Sequence, residues 1–170
     1  MKRLMFFWCA LLAIFSPKLK PTAHASEIHA PHEAHSASHS AFNSWHDFSF
    51  KIDDSKCRVG IASVKLTVSE LKPQDGNLIA TYSIHVPLKK SENDTGQIVL
   101  PINVTVDELH KQGGVLIGNA YSNQKGKHPN KIICEVGPNT TKGIALEIIT
   151  DKRTLNFKSR YTVIEADDEG

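Results

Sequence analysis

The chain has 170 residues and a mass of 18.8 kDa, the span of one domain rather than two. Its 20 Lys+Arg against 18 Asp+Glu leave a formal charge of +2, which excludes the strongly basic footprint of a general nucleic-acid binder. Apolar residues at 40% and charged residues at 22% suit a globular protein, and no apolar run reaches the roughly 20 residues that a transmembrane helix needs.

The amino terminus carries the layout of a secretory signal peptide over 1–25. Lys2 and Arg3 precede an apolar run from Leu4 to Phe15, and Ala23, His24 and Ala25 form an A-x-A cleavage pattern before Ser26. Pro17 and Pro21 stop the run from lengthening into a spanning helix. Bulky Phe6, Phe7 and Trp8 ahead of Cys9 argue against lipid attachment at that cysteine. The expectation is export through a cleaved signal peptide, to a periplasmic or secreted location. Cleavage removes Lys2, Arg3, Lys18 and Lys20 and no acid, turning +2 into −2.

Residues 26–45 read as a flexible leader rich in Ala, Ser and His and poor in branched apolar residues. His29, His32, His35, His39 and His46 recur at helical spacing, so they would share one broad helix face. Imidazoles four residues apart chelate Zn, Cu(II) or Ni at neutral pH, which makes these five the candidate metal ligands. Pro31 restricts any helix to His32, His35 and His39. The competing readings are a solvated linker of biased composition and a pH-sensing segment whose histidines charge below about 6.5.

From residue 46 to 165 the pattern is that of strands. Phe48, Phe50 and Ile52 alternate with polar neighbours, and Asp53, Asp54 and Ser55 end that strand. Val59 and Ile61 occupy one parity and Val64, Leu66 and Val68 the other, which requires a bulge or break near Ala62 and Ser63. Pro73, Asp75 and Gly76 mark a turn, after which Leu78, Ala80, Tyr82, Ile84, Val86 and Leu88 form one face of a long strand. A loop over 89–96 leads to Ile98, Leu100, Ile102, Val104 and Val106, with Pro101 implying an edge strand or a bulge. Asp107–Gln112 forms a helical turn capped by Asp107 or Thr105 and stopped by Gly113 and Gly114. Strands follow over 115–122, 131–136, 144–150 and 154–165, the last two as a hairpin joined by Asp151, Lys152 and Arg153. Residues 166–170 are an acidic tail.

About seven or eight such strands with almost no helix predict an all-β fold. The favoured form is an antiparallel β-sandwich of immunoglobulin-like architecture, with a compact β-barrel as the alternative. Cys57 and Cys134 remain as an even pair in an exported chain, so a disulfide between them is the default expectation.

Signatures of nucleotide binding, zinc proteolysis and serine hydrolysis are lacking from the sequence. His85, His110 and His128 read as surface residues, and Asp53, Asp54, Asp94 and Asp107 have no calcium-loop spacing. Lys125, Lys127, His128 and Lys131 cluster around Gly126 as the best candidate for an anionic partner. Three N-x-T sequons stand at Asn93, Asn103 and Asn139. The expected function is that of an exported, non-enzymatic binding or structural protein, engaging a protein or cell-surface partner and no nucleic acid. The alternative is metal binding or buffering through the histidine segment.

Overall fold

The computed structural model describes residues 41–87 and 89–165. They form ten strands, a helical stretch at residues 41–43, one short α-helix and one 3₁₀ turn, and every strand pairs antiparallel with its neighbours. The strands are β1 (Phe48–Ile52), β2 (Ser55–Val59), β3 (Ala62–Val68), β4 (Lys72–Gln74) and β5 (Asn77–His85). After the 3₁₀ turn at Lys90–Glu92 come β6 (Asp94–Pro101), helix α1 (Val106–Gln112), β7 (Gly114–Ser122), β8 (Asn130–Val136), β9 (Gly143–Ile149) and β10 (Thr154–Glu165).

The all-β expectation holds, but the two-layer arrangement is replaced by one continuous sheet. Its order is β1-β10-β9-β8-β7-β6-β5-β3-β2, with β4 also on β5, and the sheet curls into a half-barrel. The curl follows from chain connectivity. Only Asp53 and Asp54 separate β1 from β2, yet β1 pairs with β10 at one edge of the sheet and β2 with β3 at the other. The short connection from β1 into β2 therefore draws the two edges together. Phe50 and Leu71 reinforce this by exchanging backbone hydrogen bonds of 3.0 and 2.8 Å.

Alternation then decides what is enclosed. On β5, Leu78, Ala80, Tyr82 and Ile84 are buried while Thr81, Ser83 and His85 face solvent. Ile98 and Leu100 on β6, Ile132 and Cys134 on β8, Leu146 and Ile148 on β9, and Phe157 and Tyr161 on β10 complete the enclosed face. Leu155 faces Ile148 and Phe157 faces Leu146 across the hairpin that the sequence pattern predicts. Gly96 and Gly118 permit close approach between strands, because a Cβ there would lie 1.9 Å from the Tyr121 carbonyl oxygen and 2.0 Å from that of Val99, respectively.

Several local expectations are refined. The parity change after Val59 is a tight hairpin turn at Gly60 and Ile61, so Ser55–Val59 is a strand of its own and no bulge is needed. Pro101 lies on an interior strand, but the β6–β7 ladder covers only Gly96–Val99, so no partner on that side needs its missing N–H. Thr105 caps α1, and Thr105 and Glu108 form a reciprocal capping box. The packed body also starts earlier than residue 46: Ala41 is buried, and Trp45 is fully buried with its indole N–H donating to the Val104 carbonyl at 2.8 Å.

The expected Cys57–Cys134 disulfide is not formed, and both cysteines are free. Both side chains turn toward the interior, but β2 and β8 are separated along the sheet by β3, β5, β6 and β7. Burial raises the Cys57 thiol above its usual range, and burial with the nearby Glu135 carboxylate pushes Cys134 up to about 12. Both therefore stay protonated at neutral pH, and a protonated thiol is neither a nucleophile nor a metal ligand.

Candidate functional site

Antiparallel connectivity places four hairpin connections at one end of the curled sheet. These join β2 to β3, β5 to β6, β7 to β8 and β9 to β10, and residues from all four line a single cavity of about 590 Å³. Its floor is apolar, built from Val59, Ala62, Val64, Ile84, Val86 and Leu155, where inward-facing strand positions run out toward the loops. Its rim is polar, with Lys89, Glu92, Lys127, His128, Lys152 and Arg153.

Asp94 organises the mouth. It is buried at the start of β6, and its Oδ1 accepts the Ser122 hydroxyl at 2.5 Å while Oδ2 accepts the Tyr82 hydroxyl at 3.1 Å. The Lys127 ammonium approaches Oδ2 at 3.5 Å from the rim. A buried carboxylate is tolerated only with such partners. Burial, and secondarily the adjacent Asp94 carboxylate, push the Tyr82 phenol above its ordinary range, which keeps it a proton donor to Asp94.

The neighbouring loops are fixed to one another by backbone groups. The Val86 N–H donates to the Asn93 side-chain oxygen at 2.8 Å, and the Gln124 amide donates to the Asn93 carbonyl at 2.7 Å. The Asn123 N–H donates to the Thr95 carbonyl at 2.8 Å. These bonds hold the β5–β6 and β7–β8 connections together as one wall. Asn93, one of the three sequon asparagines, thus spends its side chain on the Val86 N–H.

The basic cluster expected from sequence is only partly assembled. Lys127 and His128 line the cavity, and Lys125 lies in the same exposed loop outside the lining. Lys131 belongs to β8, where it faces solvent opposite Asn119 and Ile149. Lys89, Lys152, Arg153, Asp94 and Tyr82 were not foreseen as parts of one site. Lys89, Lys152 and Arg153 come from connections far apart in the chain, and a charged residue in a turn carries no local mark of what it will face; Tyr82 reads as an ordinary buried strand position until Asp94 is placed beside it. No family model, curated protein or solved structure matches this chain.

Of the proposed metal ligands, His29, His32, His35 and His39 lie outside the described residues. His46 is exposed, with Nδ1 2.8 Å from Asp47 Oδ1. Among the described residues no group of three His, Cys, Asp or Glu side chains is placed to hold a metal ion. No helix among them is long and apolar enough to cross a membrane.

Proposed function

We propose that this chain is an exported, non-enzymatic binding protein whose ligand occupies the mouth of the curled sheet. The observation that carries this reading is the pairing of an apolar floor with a cationic rim in one cavity of about 590 Å³, within the usual range of ligand pockets of roughly 300–1,000 Å³. Such a cavity suits a small amphiphile with an aliphatic or aromatic body and an acidic head. The body displaces water from Val64, Ile84, Val86 and Leu155, and the head meets Lys152 and Arg153 at the rim.

A binding role fits the chemistry better than catalysis. Asp94 has its oxygens engaged by Tyr82, Ser122 and Lys127, so it is committed to structure, and neither cysteine lines the cavity. Titration with anilinonaphthalene sulfonate, displaced by a medium-chain alkyl carboxylate, tests the proposal. The expected result is saturable binding of both probes at one site. Ala62→Phe, which fills the floor near the lip, should abolish it, and Arg153→Glu should weaken it at least about tenfold through loss of a charge-assisted contact. Absence of saturable binding in the unsubstituted protein, or undiminished binding in a folded Ala62→Phe variant, refutes the reading.

A further inference from the structure

The two ends of the curled sheet differ in charge. At the cavity end the connecting loops carry Lys89, Lys90, Lys125, Lys127, Lys152 and Arg153 against Glu92, Asp94 and Asp151. At the other end, the segments around β4, α1 and the β8–β9 connection carry Glu70, Asp75, Asp107 and Glu108, with Asp47 just before β1, against Lys72, Lys111, Lys142 and Arg160, the last opposite Gly143. The Asn139 N–H to His110 carbonyl bond and the Ile102 N–H to Gly76 carbonyl bond, both 2.9 Å, tie those acidic segments into one surface. A chain close to electroneutrality is thereby polarised along its axis.

The positive end also bears the most exposed large apolar residue described. Ile61 is 106% exposed at the tip of the β2–β3 hairpin, beside Gly60, which at φ +59° makes the turn possible. Aliphatic tips are unusual in two-residue turns, where polar or small residues satisfy the bend equally well. An isolated exposed isoleucine needs no explanation by itself. Here it stands at the lip of the cavity that Lys89, Lys127, Lys152 and Arg153 also line, with Lys90 and Lys125 in the same connections; Lys90, Lys125, Lys152 and Arg153 are exposed and form no ion pair among the described residues, while Lys89 and Lys127 are paired with Glu92 and Asp94.

We infer that the cavity end docks on an anionic lipid bilayer, with Ile61 entering the headgroup–acyl boundary and the surrounding cations lying against lipid phosphates. Charge complementarity selects this occupant, because a row of exposed basic side chains is attracted to an anionic leaflet and an aliphatic tip gains by leaving water there. An acidic protein or polyanion would use the same cations but would have no comparable use for Ile61. The docked orientation directs the cavity at the membrane. The inference does not require the cavity to hold a ligand.

Flotation with phosphatidylcholine vesicles, with and without phosphatidylglycerol, tests it at low and high salt. The unsubstituted protein should float only with the anionic vesicles and be released by high salt, which shortens the reach of the attraction. Replacing Lys90 and Lys125 by Ser should each weaken partitioning about fivefold. Neither residue lines the cavity, so probe binding in vesicle-free solution should be unchanged, which separates failure of docking from failure of the ligand proposal. Ile61→Ser should weaken partitioning about tenfold, whereas Lys72→Ser and Lys111→Ser at the opposite end should not change it. No flotation with anionic vesicles, equal losses from the opposite-end variants, or flotation indifferent to Ile61→Ser would each overturn the inference; the last would mark mere polyanion adsorption.

Discussion

Trp45 offers the most direct test of where the packed body begins. Its ring is fully buried, lies 5.0 Å from the Phe50 ring at a tilt of 57°, and donates its N–H to the Val104 carbonyl just before α1. Trp45→Ala removes the largest buried side chain of this region and leaves a cavity, a change that costs about 3–5 kcal/mol. Trp45→Phe keeps most of the apolar contact but orphans the Val104 carbonyl, for a smaller loss of about 1–3 kcal/mol. Urea unfolding followed by far-ultraviolet circular dichroism measures both. In protein lacking residues 1–25 Trp45 is the only tryptophan, so its fluorescence should shift to longer wavelength in the same transition. A loss below about 1 kcal/mol for Trp45→Ala would refute its place in the core and return the domain boundary to residue 46.

Two further outcomes follow from the titrating groups. In unreduced native protein Cys134 should resist alkylation at neutral pH and Cys57 should react slowly, while both should alkylate fully in denaturant; a mass showing two protected sulfurs would mean a disulfide after all. The Thr105 N–H, and secondarily its hydroxyl, hold the Glu108 carboxyl below its ordinary range. A depressed acid contributes stability that is complete above its unfolded pKa and fades as pH falls through the folded value. From about pH 5 down to about pH 3 the protein should therefore lose more stability than its Glu108→Gln variant, and parallel urea midpoints for the two would contradict this.

Strand identity was legible because it is local. Phe50 and Ile52, Leu78 through Ile84, and the Leu155 and Phe157 pair all announce their faces by alternation, and a helical turn capped by Thr105 or Asp107 is visible before Gly113, the structure choosing Thr105. Alternation fails where both parities are apolar. On β7, Leu116 is buried while Val115, Ile117 and Tyr121 are exposed, and nothing in that segment chooses between the two sets. The break in parity over 59–64 does not by itself announce a hairpin rather than a bulge, because Gly60 and Ile61 lack the usual Asn-Gly or Asp-Gly turn chemistry.

Sequence by itself determined the all-β character, most strand faces, the capped helical turn and the net charge, since each depends on residues only a few positions apart. Tertiary structure alone decided that β1 and β2 sit at opposite edges of one curled sheet. It also set Cys57 and Cys134 on strands that do not meet, and gathered Asp94, Lys127, Lys152 and Arg153 around one mouth. Those outcomes depend on register and curvature summed over the whole sheet, and no short stretch of chain encodes such a sum.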